Sequence, residues 1–242
     1  MSMSSQPEAI HIRGLRVYPF SDPAKLIDFA DSRKGILVAI NAQKIVTANT
    51  PGQEALKDII NSNIAYCDGE GAVMAARQKG ARDVSKIAGC ELWLKIIERH
   101  HASKTFYLIG ATKAVNDAVV EKLRTMYPDI RIVGHRDGYI SAPGAREALI
   151  ADVADKKPDV VFIAMGSPTQ EFLMADMLKQ HPAIYQGLGG SFDVFTGNVQ
   201  RAPKWWVDHK LEFAFQLINQ PQRWRRDLKY IKFMWWYLWH KL

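Results

Sequence analysis

Between Lys34 and Leu188 the chain alternates short apolar, β-rich runs with segments of helical periodicity, and this alternation restricts the fold more than any other feature. The runs are Gly35 to Ile40, Ile64 to Cys67, Thr105 to Ile109, Ile130 to Val133, Asp159 to Met165 and Ala183 to Leu188. Strands followed by helices in this order are the signature of βαβ units, and hence of a parallel sheet covered on both faces. Helix-opening chemistry stands at Thr50-Pro51, Ser141-Ala-Pro143 and Ser167-Pro168. The expected fold class is α/β, a Rossmann-like, mostly parallel sheet with helices on both faces. A chain of 242 residues, 48% hydrophobic, has enough apolar material for one such domain and an appendage.

The alternation stops at Arg201-Ala-Pro203, and the rest has a different character. Residues 199–242 hold six of the seven tryptophans, with nine Lys/Arg against three Asp/Glu, or +6 of the chain's net +7. Rings with an apolar body and a polar edge, interleaved with cations, suit the boundary between lipid headgroups and acyl chains. The competing reading is a terminal helix whose tryptophans complete the core. The longest uncharged apolar run, Phe233 to Trp239, is too short for the roughly 20 residues of a bilayer crossing. The division expected is a catalytic core over 1–198 and a basic, Trp-rich helical appendage over 199–242, in two or three helices interrupted at Gln220-Pro221. Met1 to Ile10 is polar and unlike a signal peptide, so a cytoplasmic location is expected.

Cysteine usage is sparse. Cys67 and Cys90 form no CxxC and have no histidine at ligand spacing, which signals neither a disulfide framework nor a zinc site. The sequence also lacks a GxxxxGK[ST] loop, against a nucleoside triphosphatase. Its nearest dinucleotide fingerprint, Gly69-Glu-Gly71, fails at Met74 where a third glycine belongs. No nucleic-acid module is present to make the tail a strand-binding element, and no nucleic-acid partner is expected.

In open parallel sheets ligands lie beyond the C-terminal ends of the strands. The residues found there are Asn41, Asp68, Gly110, Asp137, Gly166 to Gln170, and Gly187 to Asp193. Several of these turns are glycine-rich and open a helix, where N–H groups and the helix dipole favour an anion such as a diphosphate. Asp68 is either a helix cap or a carboxylate facing the cleft. Gln170, Glu171 and Asp193 are equally open between turn or cap residues and ligands.

Six blocks narrow these alternatives: Ala39-Ile-Asn-Ala-Gln-Lys44, Asp68-Gly-Glu-Gly71, Ile87-Ala-Gly-Cys-Glu-Leu-Trp93, Met165-Gly-Ser-Pro-Thr-Gln-Glu171, Gly187-Leu-Gly-Gly-Ser-Phe-Asp193 and Thr196-Gly-Asn-Val-Gln-Arg-Ala-Pro203. In order and spacing the chain resembles the WecG/TagA/CpsF glycosyltransferases, family 26, from about Ile12 to its C-terminus. The Ala-Ile-Asn-Ala, Asp-Val-Phe-Thr-Gly and Gln-Pro-x-Arg blocks are most similar to the members that transfer N-acetyl-D-mannosaminuronate.

The resemblance implies an inverting transfer of that sugar from UDP to an undecaprenyl-diphosphate-linked GlcNAc, in enterobacterial common antigen synthesis. The same chemistry with UDP-ManNAc, as in the teichoic acid linkage unit, or with another UDP-sugar for capsule or exopolysaccharide, is the alternative. The implied partners are thus a UDP-sugar donor, the polyprenyl-diphosphate-linked acceptor, the cytoplasmic face of the inner membrane, and other copies of the chain by self-association. By this analogy Asp68 is the base that deprotonates the acceptor hydroxyl. Arg223 and Arg226 meet the diphosphate in place of a metal, there being no DxD motif, so no cofactor and no metal are expected. Asn41, Gln170, Asp193 and Arg201 are implied substrate ligands. Lys86 stands where relatives often carry Arg, and Gln216 where a further tail Arg is common, so Lys86 keeps a cation without a guanidinium fork.

Overall fold

The computed structural model describes residues 7–199 and 224–242, with the backbone alone for 224–228. A small antiparallel hairpin, β1 (Ile10–Ile12) and β2 (Leu15–Val17), precedes the main sheet. The main sheet has six strands: β3 (Gly35–Ile40), β4 (Ile64–Cys67), β5 (Thr105–Gly110), β6 (Arg131–Arg136), β7 (Val160–Ala164) and β8 (Ile184–Gly187). Their order is β4-β3-β8-β7-β5-β6, and every neighbouring pair is parallel. The expected strands are all present. The fourth starts one residue later and runs to Arg136, because it is the part-exposed edge where polar residues extend pairing with β5.

Helices cover both faces, as the apolar runs require. Side chains alternate along β3: Ile36, Val38 and Ile40 belong to one core, Leu37 to the other. The first core takes the hairpin, α2 (Ala42–Ala48), α3 (Glu54–Ser62), α4 (Glu70–Gln78), α7 (Ala145–Lys156) and α8 (Thr169–Gln180). The second takes α1 (Pro23–Arg33), α5 (Gly89–His100), α6 (Lys113–Met126) and α9 (Ser191–Thr196), with Trp93 packed edge-on against Phe162. The hairpin escapes a reading based on long runs because its strands have three residues each. Thr50-Pro51 does not open a helix; it lies in the turn between α2 and α3, and α3 begins at Glu54.

The chain ends in α10 (Trp224–Leu238), which joins the first core. Phe233 and Trp236 are buried, each contributing roughly 2–3 kcal/mol of apolar transfer. Lys229 Nζ donates to Thr47 Oγ1 at 2.8 Å, and Gln78 Nε2 donates to the Tyr237 carbonyl at 2.9 Å. The guanidinium of Arg13, in the hairpin turn, lies 3.7 Å over the Trp236 ring and donates to the Lys241 carbonyl. The opposite face of α10 leaves Ile231, Met234, Trp235, Leu238 and Trp239 exposed. This spacing forms one continuous apolar stripe. The core-completing reading thus holds for Trp236, while Trp235 and Trp239 remain on the surface. Trp205, Trp206 and the Gln220-Pro221 break lie outside the described residues, and none of the described helices is long and apolar enough to cross a membrane.

At the C-terminal end of β5, Gly110 has φ +124°, and a Cβ there would come within 2.3 Å of the Ala164 carbonyl oxygen. Gly144 also has positive φ but opens onto empty space. Gly110→Ala should therefore cost about 3 kcal/mol or more and Gly144→Ala about 1 kcal/mol, as measured by urea denaturation. Equal costs at the two positions would refute this account of the β5–β7 approach.

Candidate functional site

A parallel sheet delivers all its C-terminal ends to one edge, and the helices that follow begin there. Next to one another at this edge are β4, β3 and β8, with the starts of α2, α4, α5 and α8 around them. β3 runs on toward β4, whereas β8 is reached from β7 on the other side, so the crevice forms where the connections diverge. Asn41 and Asp68 take N–H groups at the starts of α2 and α5, whereas no described side chain caps α4 behind Gly69, which leaves that helix start receptive to an anion.

Asp68 follows β4 directly, with its own N–H bonded to the Ile40 carbonyl at 2.8 Å. Its Oδ1 accepts the N–H of Gly89 at 2.6 Å. Gly89 is the first residue of α5, and Ala88 before it has no side chain to cap the helix. Asp68 thus does not cap the helix it precedes, α4, whose N-cap is Gly69; it caps α5 from across the sheet edge. The residue keeps part of its surface open to the crevice. Burial raises its carboxyl above the ordinary carboxylate range, opposed by the Gly89 N–H, Lys44, Asn41 and Lys86 in decreasing order. The phenol of Tyr66, on β4 beneath Gly89, is pushed up by burial and further by the charge of Asp68.

Asn41 caps α2, accepting the Lys44 N–H at 2.9 Å, and stands beside Asp68. Lys44, one turn on, forms a buried ion pair with Glu171 in the first turn of α8. Gln170 is buried alongside and accepts the Gly189 N–H at 3.0 Å, which pins the turn between β8 and α9. The glutamine fits because residue 187 is glycine: a Cβ there would meet Gln170 Nε2 at 2.3 Å. Asp193 follows in the first turn of α9, partly exposed. Lys86 is exposed and bears on Asp68 electrostatically.

The structure therefore gathers Asn41 and Lys86 around the Asp68 carboxyl, and places Gln170 and Asp193 on either side of the neighbouring glycine turn. Arg201 and Arg223 lie outside the described residues. Arg226 belongs to α10, but its side chain is not described. That helix meets the site edge at Phe233, whose ring stands 3.2 Å from where a Gly71 Cβ would be, next to Ala42.

Two features of this edge were not expected: the pairing of Glu171, itself a candidate ligand, with Lys44, and the part taken by Gln186. The Lys44–Glu171 pair joins segments 127 residues apart, and sequence holds no signal for such a pairing. Gln186 is a wholly buried polar residue within β8. Its signal was visible: one amide inside the apolar run Ala183 to Leu188, in a strand covered on both faces, requires a hydrogen-bond partner.

In open parallel sheets of α/β proteins, ligands bind at such a divergence point. The chain belongs to the glycosyl transferase WecG/TagA/CpsF family, whose family model matches residues 11–242. It is a glycosyltransferase, with a sugar donor and an acceptor as its substrates.

A raised carboxyl in the folded state means that the fold binds the Asp68 proton more tightly than the unfolded chain does. Stability is then lost as pH rises through the interval between the ordinary value, 3.8, and the raised one. Asp68→Asn keeps an oxygen for Gly89 and removes the charge. It should be more stable than wild type at pH 7 in a denaturant titration, with the difference closing as pH falls toward the ordinary carboxylate range. A less stable variant at pH 7 would contradict the assigned electrostatics.

Proposed function

We propose that this glycosyltransferase moves N-acetyl-D-mannosaminuronate from UDP to the GlcNAc of an undecaprenyl-diphosphate-linked acceptor, with inversion, in enterobacterial common antigen synthesis. The observation that carries the mechanism is the Asp68 carboxyl, set by burial above its ordinary range at the mouth of an anion-receptive crevice. Inversion by direct displacement needs a base on the acceptor face, opposite the departing UDP, with a proton affinity above that of a solvated carboxylate. Asp68 supplies it: one oxygen is fixed by Gly89, which orients the other for the acceptor hydroxyl. As the hydroxyl oxygen attacks the anomeric carbon, its proton passes to Asp68 and the bond to the UDP oxygen breaks.

Charge then accumulates on the diphosphate, where fixed N–H groups and cations must meet it. Lys86 stands beside the carboxyl, and Arg201, Arg223 and Arg226 complete the set by family analogy. A guanidinium fork matches a diphosphate better than an ammonium does. Asn41, Gln170 and Asp193 hold the sugar, the uridine or the acceptor by hydrogen bonds. Lys44 is held in an ion pair with Glu171. A donor carboxylate would be met by Lys44, Lys86 or a tail arginine.

The acceptor's lipid confines it to a bilayer surface, and the enzyme would meet it there from the cytoplasmic side of the inner membrane. The exposed stripe of α10 supports this reading, since it presents Ile231, Leu238 and Trp239 with Lys241 set over the Trp235 ring. Residues 199–242 are then an appendage that serves the membrane and residues 1–198 the catalytic core. The same stripe would support self-association away from lipid.

The decisive experiment compares UDP-ManNAcA with UDP-ManNAc on a prenyl-diphosphate-GlcNAc acceptor, in EDTA, for wild type and Asp68→Asn. Product from the uronate donor alone, reduced about 10²- to 10⁴-fold in Asp68→Asn, is expected. Product from UDP-ManNAc instead would overturn the donor assignment, and full activity in Asp68→Asn would place the base elsewhere. Separately, Leu238→Ser combined with Trp239→Ser should weaken binding to anionic vesicles at least tenfold, since about 1.5–3 kcal/mol of apolar transfer is lost per side chain. Undiminished vesicle sedimentation would remove the stripe from the membrane contact.

A further inference from the structure

Gln186 lies in the interior of the sheet, paired with Leu37 of β3 on one side and Phe162 of β7 on the other, and has no exposed surface. A primary amide in such a place is retained only where its hydrogen bonds matter more than the apolar contacts of a leucine. Its Nε2 donates to the Gly89 carbonyl at 3.0 Å. The N–H of the same residue donates to Asp68 Oδ1 at 2.6 Å. Gly89 is thus held at its carbonyl from the core of the sheet and holds the carboxylate at its N–H. The fit is close: a Cβ at residue 89 would stand 3.0 Å from the Tyr66 hydroxyl and 3.4 Å from Asp68 Oδ1.

We infer that Gln186 is a positioning residue for Asp68, acting through Gly89 to fix the first turn of α5 where its N–H meets the carboxylate. This rests on the reading of Asp68 as the base. Without the amide, the start of α5 has no side-chain cap of its own to hold it, because Ala88 offers none. The contact that fixes one carboxylate oxygen, and so aims the other, would then loosen.

The groups facing Asp68 are Lys44 of α2, Lys86 ahead of α5, and Tyr66 and Cys67 of β4, with the Cys90 thiol of α5 bearing on Tyr66. Glu70 and Glu91 lie in the first turns of the two adjoining helices, and Glu171 pairs with Lys44. Replacing Gln186 changes none of these charges, but it also removes the amide's contact with the Tyr66 phenol, so a change in the titration of Asp68 reports on Gly89 and Tyr66 together. Losing a donor to the charged form makes a carboxylate hold its proton more tightly. The acid limb of the rate profile moves to higher pH.

The test is Gln186→Met, with the pH dependence of kcat for sugar transfer as readout. The acid limb should move up by about one pH unit, so that on that side of the profile the rate falls about tenfold below wild type while KM for the donor stays within about twofold. A merely structural role would lower the amount of folded enzyme and leave the limb in place, and an unmoved limb in folded Gln186→Met overturns the inference. Gly89→Ala displaces the same N–H by pressing on the Tyr66 hydroxyl, with Gln186 left in place, and should move the limb in the same direction; a wild-type limb there would equally overturn it. Asp68→Asn, assayed alongside, separates the two readings. If it is inactive and the limb is unmoved in the other variants, only the positioning role fails. If it is fully active, the base reading fails, and carbon-13 NMR titration of the Asp68 carboxyl in Gln186→Met still decides whether Gln186 governs that group.

Discussion

Every strand of the main sheet points the same way, and the position of the site depends on that single constraint. Parallel pairing sends each chain segment back over a face of the sheet, so strands must be apolar on both sides and helices must alternate between faces. It also puts every strand end and every following helix start at one edge. Asn41, Asp68, Gln170 and Asp193 come from four different strand–helix junctions, and only this directionality makes them neighbours. Of these helix starts, that of α4 has no side-chain cap among the described residues, and its dipole favours an anion there.

The electrostatics of the site follow from how few solvating groups reach it. Asp68 receives one N–H and the fields of two lysines, yet burial outweighs them. Lys44 is divided between this carboxyl and Glu171, whose second oxygen, Oε2, is buried without a hydrogen-bond partner among the described residues. A buried pair of this kind seldom adds to stability, although breaking it on one side is costly. Its value lies in holding α2 and α8 in register under the crevice. This fold therefore sacrifices some stability at the site, as expected where function needs a carboxyl out of its preferred state.

Much of this was legible in the sequence. Apolar runs located the strands because burial on both faces leaves no room for polar alternation, and the strand ends then supplied the site positions. The exceptions are instructive. β1 and β2 were too short to carry a period. β6 is an edge strand, so its polar residues Arg131, His135 and Arg136 blurred its limits. Asp68 looked like the cap of the next helix, and only the chain's path, which brings Ile87 beside Cys67 through a 2.8 Å backbone bond, shows that it caps α5 instead. The Lys44–Glu171 pair is a matter of tertiary neighbourhood and had no local trace. Gln186 did leave one, since a lone amide inside a buried strand contradicts its surroundings.

Gly187 and Gln170 show a constraint of another kind. The glutamine occupies the space that any side chain at residue 187 would need, and its oxygen holds the turn that follows that glycine. In evolutionary terms the two positions behave as a single character. Drift at residue 187 is blocked while residue 170 is glutamine, and a smaller residue at 170 would release the glycine and the turn together. Among descendants of this sequence, the two sites should change as a pair or not at all.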